Sequence, residues 1–138
     1  MKHGVYLCLL LSVVVSSMVM VGCGSDDVIA AVVPAPGAFN LLSPVDGAEN
    51  LSINPTLEWT ESENATLYGL EVHTSQDFEG EPAYVFAVQA PDTSHQITAV
   101  GGAEPLESDE TYYWRVTASN LPNEELVVSE VWSFMTED

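Results

Sequence analysis

Hydrophobic and polar residues alternate along most of the chain after residue 39, in short runs separated by turn-forming residues. In "TLEWT", Leu57 and Trp59 flank a glutamate, and "TYYWRVTAS" repeats the pattern with Tyr112, Trp114 and Val116. Residues two apart point to the same face of a strand, so each run can bury one apolar face. No window has the 3.6-residue period of an amphipathic helix. The pattern predicts an all-β fold without substantial helix.

Seven runs have the length and composition of strands, and Gly, Pro, Asn and Asp residues punctuate the chain between them. Their sequences are "FNLLS", "TLEWT", "LYGLEVHT", "AYVFAVQA", "SHQITAV", "TYYWRVTAS" and "LVVSEVWSFMT". Short strands at this spacing are typical of a β-sandwich. In the last run we expect Trp132 and Phe134 to face the core.

The first residues differ from the rest of the chain. Lys2 is followed by an apolar run of 17 residues from Val5 to Val21, and then by small and Asp-rich sequence. This order is typical of an export signal. The run is also at the lower limit for spanning a bilayer, so an uncleaved membrane anchor is the alternative.

The segment Met20-Val21-Gly22-Cys23 resembles the lipobox of bacterial lipoproteins. The resemblance implies that residues 1–22 are a lipoprotein signal peptide and that Cys23 carries the lipid that holds the protein to the membrane. Residues 23–38 then form the lipidated Cys and a tether, whose prolines favour an extended spacer. The implied location is the cell envelope, lipid-anchored. Gly24 stands where Asp would favour the inner membrane, which implies the outer membrane if the organism has one.

Residues 39–136 resemble a fibronectin type III domain, through "LSPVDGAENLSINPTLEWT", "LESDETYYWRV" and "VWSFMT". The resemblance implies that residues 39–138 form a seven-stranded sandwich of the fibronectin type III or immunoglobulin-like kind. It places Trp59 in the core. It also implies a tyrosine corner from Leu106 and Tyr112, in which the Tyr hydroxyl bonds a nearby backbone group. The loop "NLPNEEL" has no Arg, so integrin binding through Arg-Gly-Asp is not implied.

Charge narrows the choice of partners. The chain has 21 Asp and Glu residues against 2 Lys and Arg residues, for a formal net charge of −19. Binding to nucleic acid depends on clustered Lys and Arg, so nucleic acid is excluded as a partner. Arg115 is the only Lys or Arg after Lys2. Its strand position points outward beside Tyr113, so these two residues form the candidate recognition surface, and we expect Arg115 to pair with carboxylates of neighbouring strands.

The residues needed for catalysis are scarce. Ser94 and His95 are neighbours on a strand, so their side chains point to opposite faces. His73 is predicted on an outer face, and we expect both histidines to be solvated surface residues. Carboxylates in "SQDFEGE" and "ESDE" lack the regular spacing of a calcium loop. We therefore expect no catalytic residue, no metal site, no cofactor and no enzymatic activity.

These observations favour a non-catalytic lipoprotein of the cell envelope. Its domain would be a surface-displayed protein–protein interaction or spacer module that binds another envelope protein. The alternative is a carbohydrate-binding module of the cell surface with a polysaccharide partner. That function requires exposed aromatic side chains, for which the candidates are Tyr84, Tyr113 and Trp132.

Overall fold

The structure is a computed structural model that describes residues 33–99, 105–121 and 123–138, with the backbone alone at 123 and 124. The predicted signal peptide, Cys23 and the tether up to residue 32 lie outside these residues. None of the described residues belongs to a helix that could cross a bilayer. All the regular elements that they form are β-strands.

The described residues form nine strands, which are arranged in two sheets. They are β1 (Leu41–Ser43), β2 (Ala48–Leu51), β3 (Thr56–Trp59), β4 (Leu67–His73), β5 (Tyr84–Gln89), β6 (Ser94–Gln96), β7 (Thr111–Asn120), β8 (Asn123–Val128) and β9 (Trp132–Thr136). The three-stranded sheet has the order β1-β3-β6. The six-stranded sheet has the order β2-β9-β7-β4-β5, with β8 also paired to β7. The prediction of an all-β sandwich is confirmed.

The long strand β7 organises the larger sheet. It pairs along one side with β4, from Leu67↔Ser119 to His73↔Tyr113. Along its other side it pairs with β9 through residues 111–114 and with β8 through residues 117–120. The long strand β7 therefore pairs with two shorter strands along this side, and residues 129–131 separate those two strands.

The strand boundaries depart from the sequence prediction at two places. β2 lies between the predicted strands "FNLLS" and "TLEWT", in a stretch that we assigned to no strand, and it pairs in parallel with β9. Its pattern "AENL" has two exposed polar residues in the middle, so alternation gives no signal there. The predicted last strand is broken into β8 and β9, and β8 begins at Asn123, inside the predicted loop. Pairing with β7 makes this stretch a strand, although its local sequence does not predict one.

The core is formed by the inner faces of both sheets. Its buried hydrophobic residues are Phe39, Leu41, Leu57, Trp59, Tyr68, Leu70, Val72, Tyr84, Val88, Ile97, Leu106, Tyr112, Trp114, Val116, Ala118 and Phe134. Burial of one large apolar side chain contributes about 1.5 to 3 kcal/mol. The predictions that Trp59 and Phe134 face the core are confirmed. Trp132 faces the same way but is only partly buried, with its ring edge-to-face on Trp114 at 6.2 Å between centroids.

The corner before β7 has the geometry expected of a tyrosine corner. Leu106 and Tyr112 are both buried, and the backbone N–H of Glu107 donates to the Tyr112 hydroxyl over 2.8 Å. Burial raises the pKa of this hydroxyl above its ordinary value, since the phenolate is poorly solvated there. Asp109, in the turn between them, has a φ of 55°, a conformation more usual for glycine. The hydroxyl therefore holds a tight turn at the end of the sandwich.

We predict that Tyr112→Phe lowers the free energy of unfolding by about 1 to 2 kcal/mol, because the Glu107 N–H loses its acceptor in a partly buried place. Chemical denaturation followed by tryptophan fluorescence measures this change. Tyr113→Phe is the matched control, since the Tyr113 hydroxyl makes no hydrogen bond with a described residue, and it should change stability by less than about 0.5 kcal/mol. Equal effects of the two variants would contradict a structural role for the corner.

Candidate functional site

Arg115 lies on the outer face of the larger sheet and is paired. Its Nε is 2.7 Å from Oε2 of Glu71, which is directly opposite on β4. The expected pairing with a neighbouring strand is confirmed. Each side chain is about a third exposed, so solvent screens the pair and its contribution is about 1 kcal/mol or less.

The loop between β4 and β5 covers the end of this face. The guanidinium carbon of Arg115 lies 4.1 Å from the centre of the Phe78 ring, a cation–π distance. The same ring packs on His73 with 4.8 Å between centroids. Phe78 has a φ of 56°, and its N–H donates to the carbonyl of Ser75, so a tight turn directs the ring onto the sheet.

His73 is buried, which corrects the expectation of a solvated surface residue. It is on the outer face, as the alternation predicted, but it is only 3% exposed because Phe78 packs on its ring. Its Nδ1 has no hydrogen-bond partner among the described residues. Tyr113 is opposite His73 on β7 and is half-buried. The candidate surface of Tyr113 and Arg115 is therefore one outer face, on which Arg115 is already engaged by Glu71 and Phe78.

Three aromatic rings lie together where β5 and β6 approach each other. The Tyr84 hydroxyl is 2.8 Å from Nε2 of His95, and the Phe86 ring stacks on His95 at 3.9 Å between centroids. Tyr84 is only 5% exposed, so the expectation that it could form an exposed sugar platform is wrong. His95 is half-buried, and burial lowers its pKa because the imidazolium is poorly solvated. Phe86, 43% exposed, is the accessible ring of this group.

An open groove lies at the opposite edge of the sandwich, between β1 and the junction of β8 with β9. We call it the edge groove. Its volume is about 220 Å³. The lining residues are Ala38, Phe39, Asn40, Leu41, Val127, Val128, Ser129, Glu130 and Trp132. Sequence reasoning named Trp132 from this set but missed the groove, because its two walls are about 90 residues apart in the chain.

The described carboxylates do not form a metal site. Among these residues, no group of three or more His, Cys, Asp or Glu side chains is placed to hold a metal ion. Asp46 is engaged with Ser133, whose N–H and hydroxyl both lie within hydrogen-bond distance of its Oδ1.

No family model matches the chain, and a search of curated proteins finds no match either.

The pKa of His95 is lowered in the folded protein, so we predict that this residue makes the protein less stable at acid pH. As pH falls below about 6.5, the unfolded chain takes up a proton that the folded chain resists, and unfolding is favoured. The free energy of unfolding of the wild type, minus that of His95→Gln, should therefore decrease between pH 8 and pH 5.

Denaturant titrations at a series of pH values measure this difference, and the acidic surface affects both proteins alike. Tyr84→Phe is the control, because it removes the hydroxyl next to His95 but keeps the titrating ring. It should lower stability and retain the pH dependence. Parallel curves for the wild type and His95→Gln would contradict the assignment.

Proposed function

We propose that the chain is a non-catalytic lipoprotein of the cell envelope, anchored through Cys23, which displays one sandwich domain as an interaction module. The edge groove carries the interaction part of this proposal. It is an opening lined by both apolar and polar residues beside Trp132, on a domain that is rich in carboxylates. Cys23 and the apolar run before it support the anchor.

The domain is proposed to be of the fibronectin type III kind. Three observations support this: the buried Trp59 on β3, the hydroxyl of Tyr112 holding the corner, and the division into sheets β1-β3-β6 and β2-β9-β7-β4-β5. Domains of this architecture serve many unrelated purposes, so the fold alone does not name the partner.

A carbohydrate-binding module is the second candidate, and the surroundings of Trp132 favour it. This partly buried indole lines the edge groove together with the polar residues Asn40, Ser129 and Glu130. Sugar sites combine an aromatic ring with hydrogen-bonding side chains. Tyr84 no longer supports this function, since it is buried.

The anchor is tested by metabolic labelling with radioactive palmitate in a bacterial host. We expect the full chain and Cys8→Ala to incorporate label, and Cys23→Ala to incorporate none, because only the thiol of Cys23 lies in the lipobox-like sequence. The Cys8 variant is the matched control for loss of a cysteine. Label retained in Cys23→Ala would refute the anchor.

The interaction function is tested by photo-crosslinking in the intact envelope. A photoreactive amino acid at Asn40, on the rim of the edge groove, should give discrete adducts that mass spectrometry identifies as another envelope protein. The same amino acid at Asp92, in the exposed turn between β5 and β6, is the control and should not give those adducts. Adducts with glycan would favour the second candidate. No adduct from either position would contradict an interaction module.

A further inference from the structure

The edge groove lies between two strands that each border a sheet. β1 ends the three-stranded sheet, and among the described residues β8 pairs with β7 alone. Farther along the same edge, β2 pairs with β9 through Ala48↔Phe134 and Leu51↔Thr136. β2 therefore covers the edge of β9 but does not reach residues 126–128. A strand edge of this kind is a template for pairing with another extended chain.

The lining of the groove combines apolar side chains with the polar residues Asn40, Ser129 and Glu130. Phe39 and Leu41 contribute from one wall, and Val127 and Trp132 from the other. The volume, about 220 Å³, is below the roughly 300 to 1,000 Å³ of pockets that enclose a small molecule. A strand presents a side chain to the same face at every second residue, so its apolar side chains can contact Phe39, Leu41, Val127 and Trp132 in this open groove.

The groove is already formed in the protein without a partner. The hydroxyl of Ser129 accepts a hydrogen bond from the backbone N–H of Val116 over 2.9 Å. It donates one to the carbonyl of Glu130 over 2.8 Å. These contacts hold the break between β8 and β9 that leaves the groove open. A preformed site requires little ordering of the protein when a partner binds.

The charge of the domain selects the chemistry of the partner. The chain carries 21 acidic residues, and Arg115, its only Lys or Arg after residue 2, is paired with Glu71. Glu130 is exposed on the rim of the groove. A partner that carries Lys and Arg is therefore attracted over long range, whereas an acidic partner is repelled.

We infer that the edge groove binds an extended segment of another protein, with alternating apolar side chains flanked by Lys or Arg. The segment adds a strand to the edge at residues 126–128 and places apolar side chains on Phe39 and Trp132. This mode is known as β-strand addition, in which the backbone contributes affinity and the pockets contribute specificity. The inference rests on the proposed interaction function and deepens it by naming the mode of binding and the partner chemistry.

Trp132 provides a direct readout. Trp59 and Trp114 are fully buried, so of the three tryptophans only Trp132 lines the groove. The full exported chain in detergent is titrated with a synthetic peptide, Lys-Lys-Val-Thr-Val-Thr-Val-Lys-Lys. We expect a saturable change in tryptophan emission that weakens as salt rises from 20 to about 300 mM, since salt screens the attraction. A peptide with Glu in place of every Lys should not bind.

Two substitutions place the binding in the groove. Glu130→Gln removes a rim carboxylate and should weaken binding about threefold to tenfold, whereas Asn40→Lys adds a cation to the other wall and should weaken it more. Glu81→Gln, on the loop before β5 at the opposite edge of the larger sheet, is the matched control and should bind like the wild type. Trp132→Phe should lose the emission change and weaken binding in calorimetry, because the smaller ring offers less apolar surface to the segment.

Equal binding of the acidic and basic peptides, or binding unaffected by both rim substitutions, would overturn the inference. So would the absence of any saturable signal. A parallel titration with a cellulose or chitin oligosaccharide that gave the Trp132 signal would assign the groove to carbohydrate instead. If the peptide fails but crosslinks from Asn40 to an envelope protein form in the intact envelope, the interaction function stands and only the assignment of an extended basic segment is wrong.

Discussion

Burial of aromatic and aliphatic side chains between the two sheets is the interaction on which the rest of this structure depends. Ionic attraction cannot replace it, because the chain has 2 basic residues for 21 acidic ones, and mutual repulsion of the carboxylates opposes compaction. The inner faces of β3, β4 and β7 therefore meet in a continuous core around Trp59, Tyr68 and Trp114. Even the indole N–H groups of Trp59 and Trp114 are buried without a hydrogen-bond acceptor among the described residues. An unsatisfied donor costs about 1 to 3 kcal/mol, so the apolar burial offsets that cost as well.

The scarcity of cations also determines what the surface can do. Arg115 is held by Glu71 on one side and by the Phe78 ring on the other, so it fixes the loop between β4 and β5 against the sheet. A side chain engaged in this way offers little to an anionic ligand. The negative charge of the domain therefore favours contact with cationic or neutral groups over anionic ones.

The way in which the sandwich closes its edges explains where the groove lies. The chain leaves the smaller sheet after β1 and joins the larger one as β2, which pairs in parallel with β9. Through this change of sheet, β2 covers the part of the edge that β9 forms. The part formed by β8 has no such cover among the described strands, because β1 turns away to pair with β3. Trp132 is partly exposed for this reason, although its position in the alternation matches that of the fully buried Phe134.

Local alternation determined which residues face inward, since the period of a strand is a property of the backbone alone. It therefore predicted the all-β fold and the buried positions of Trp59, Tyr112 and Trp114 correctly. The resemblance to a known domain added the hydrogen bond of the Tyr112 hydroxyl. Only the tertiary structure decided what covers each face: Phe78 buries His73, and packing at the β5 edge buries Tyr84. It also decided where the groove lies, between β1 and the junction of β8 with β9. These contacts join segments that are distant in the chain or lie in loops without periodicity, so no local pattern in the sequence encodes them.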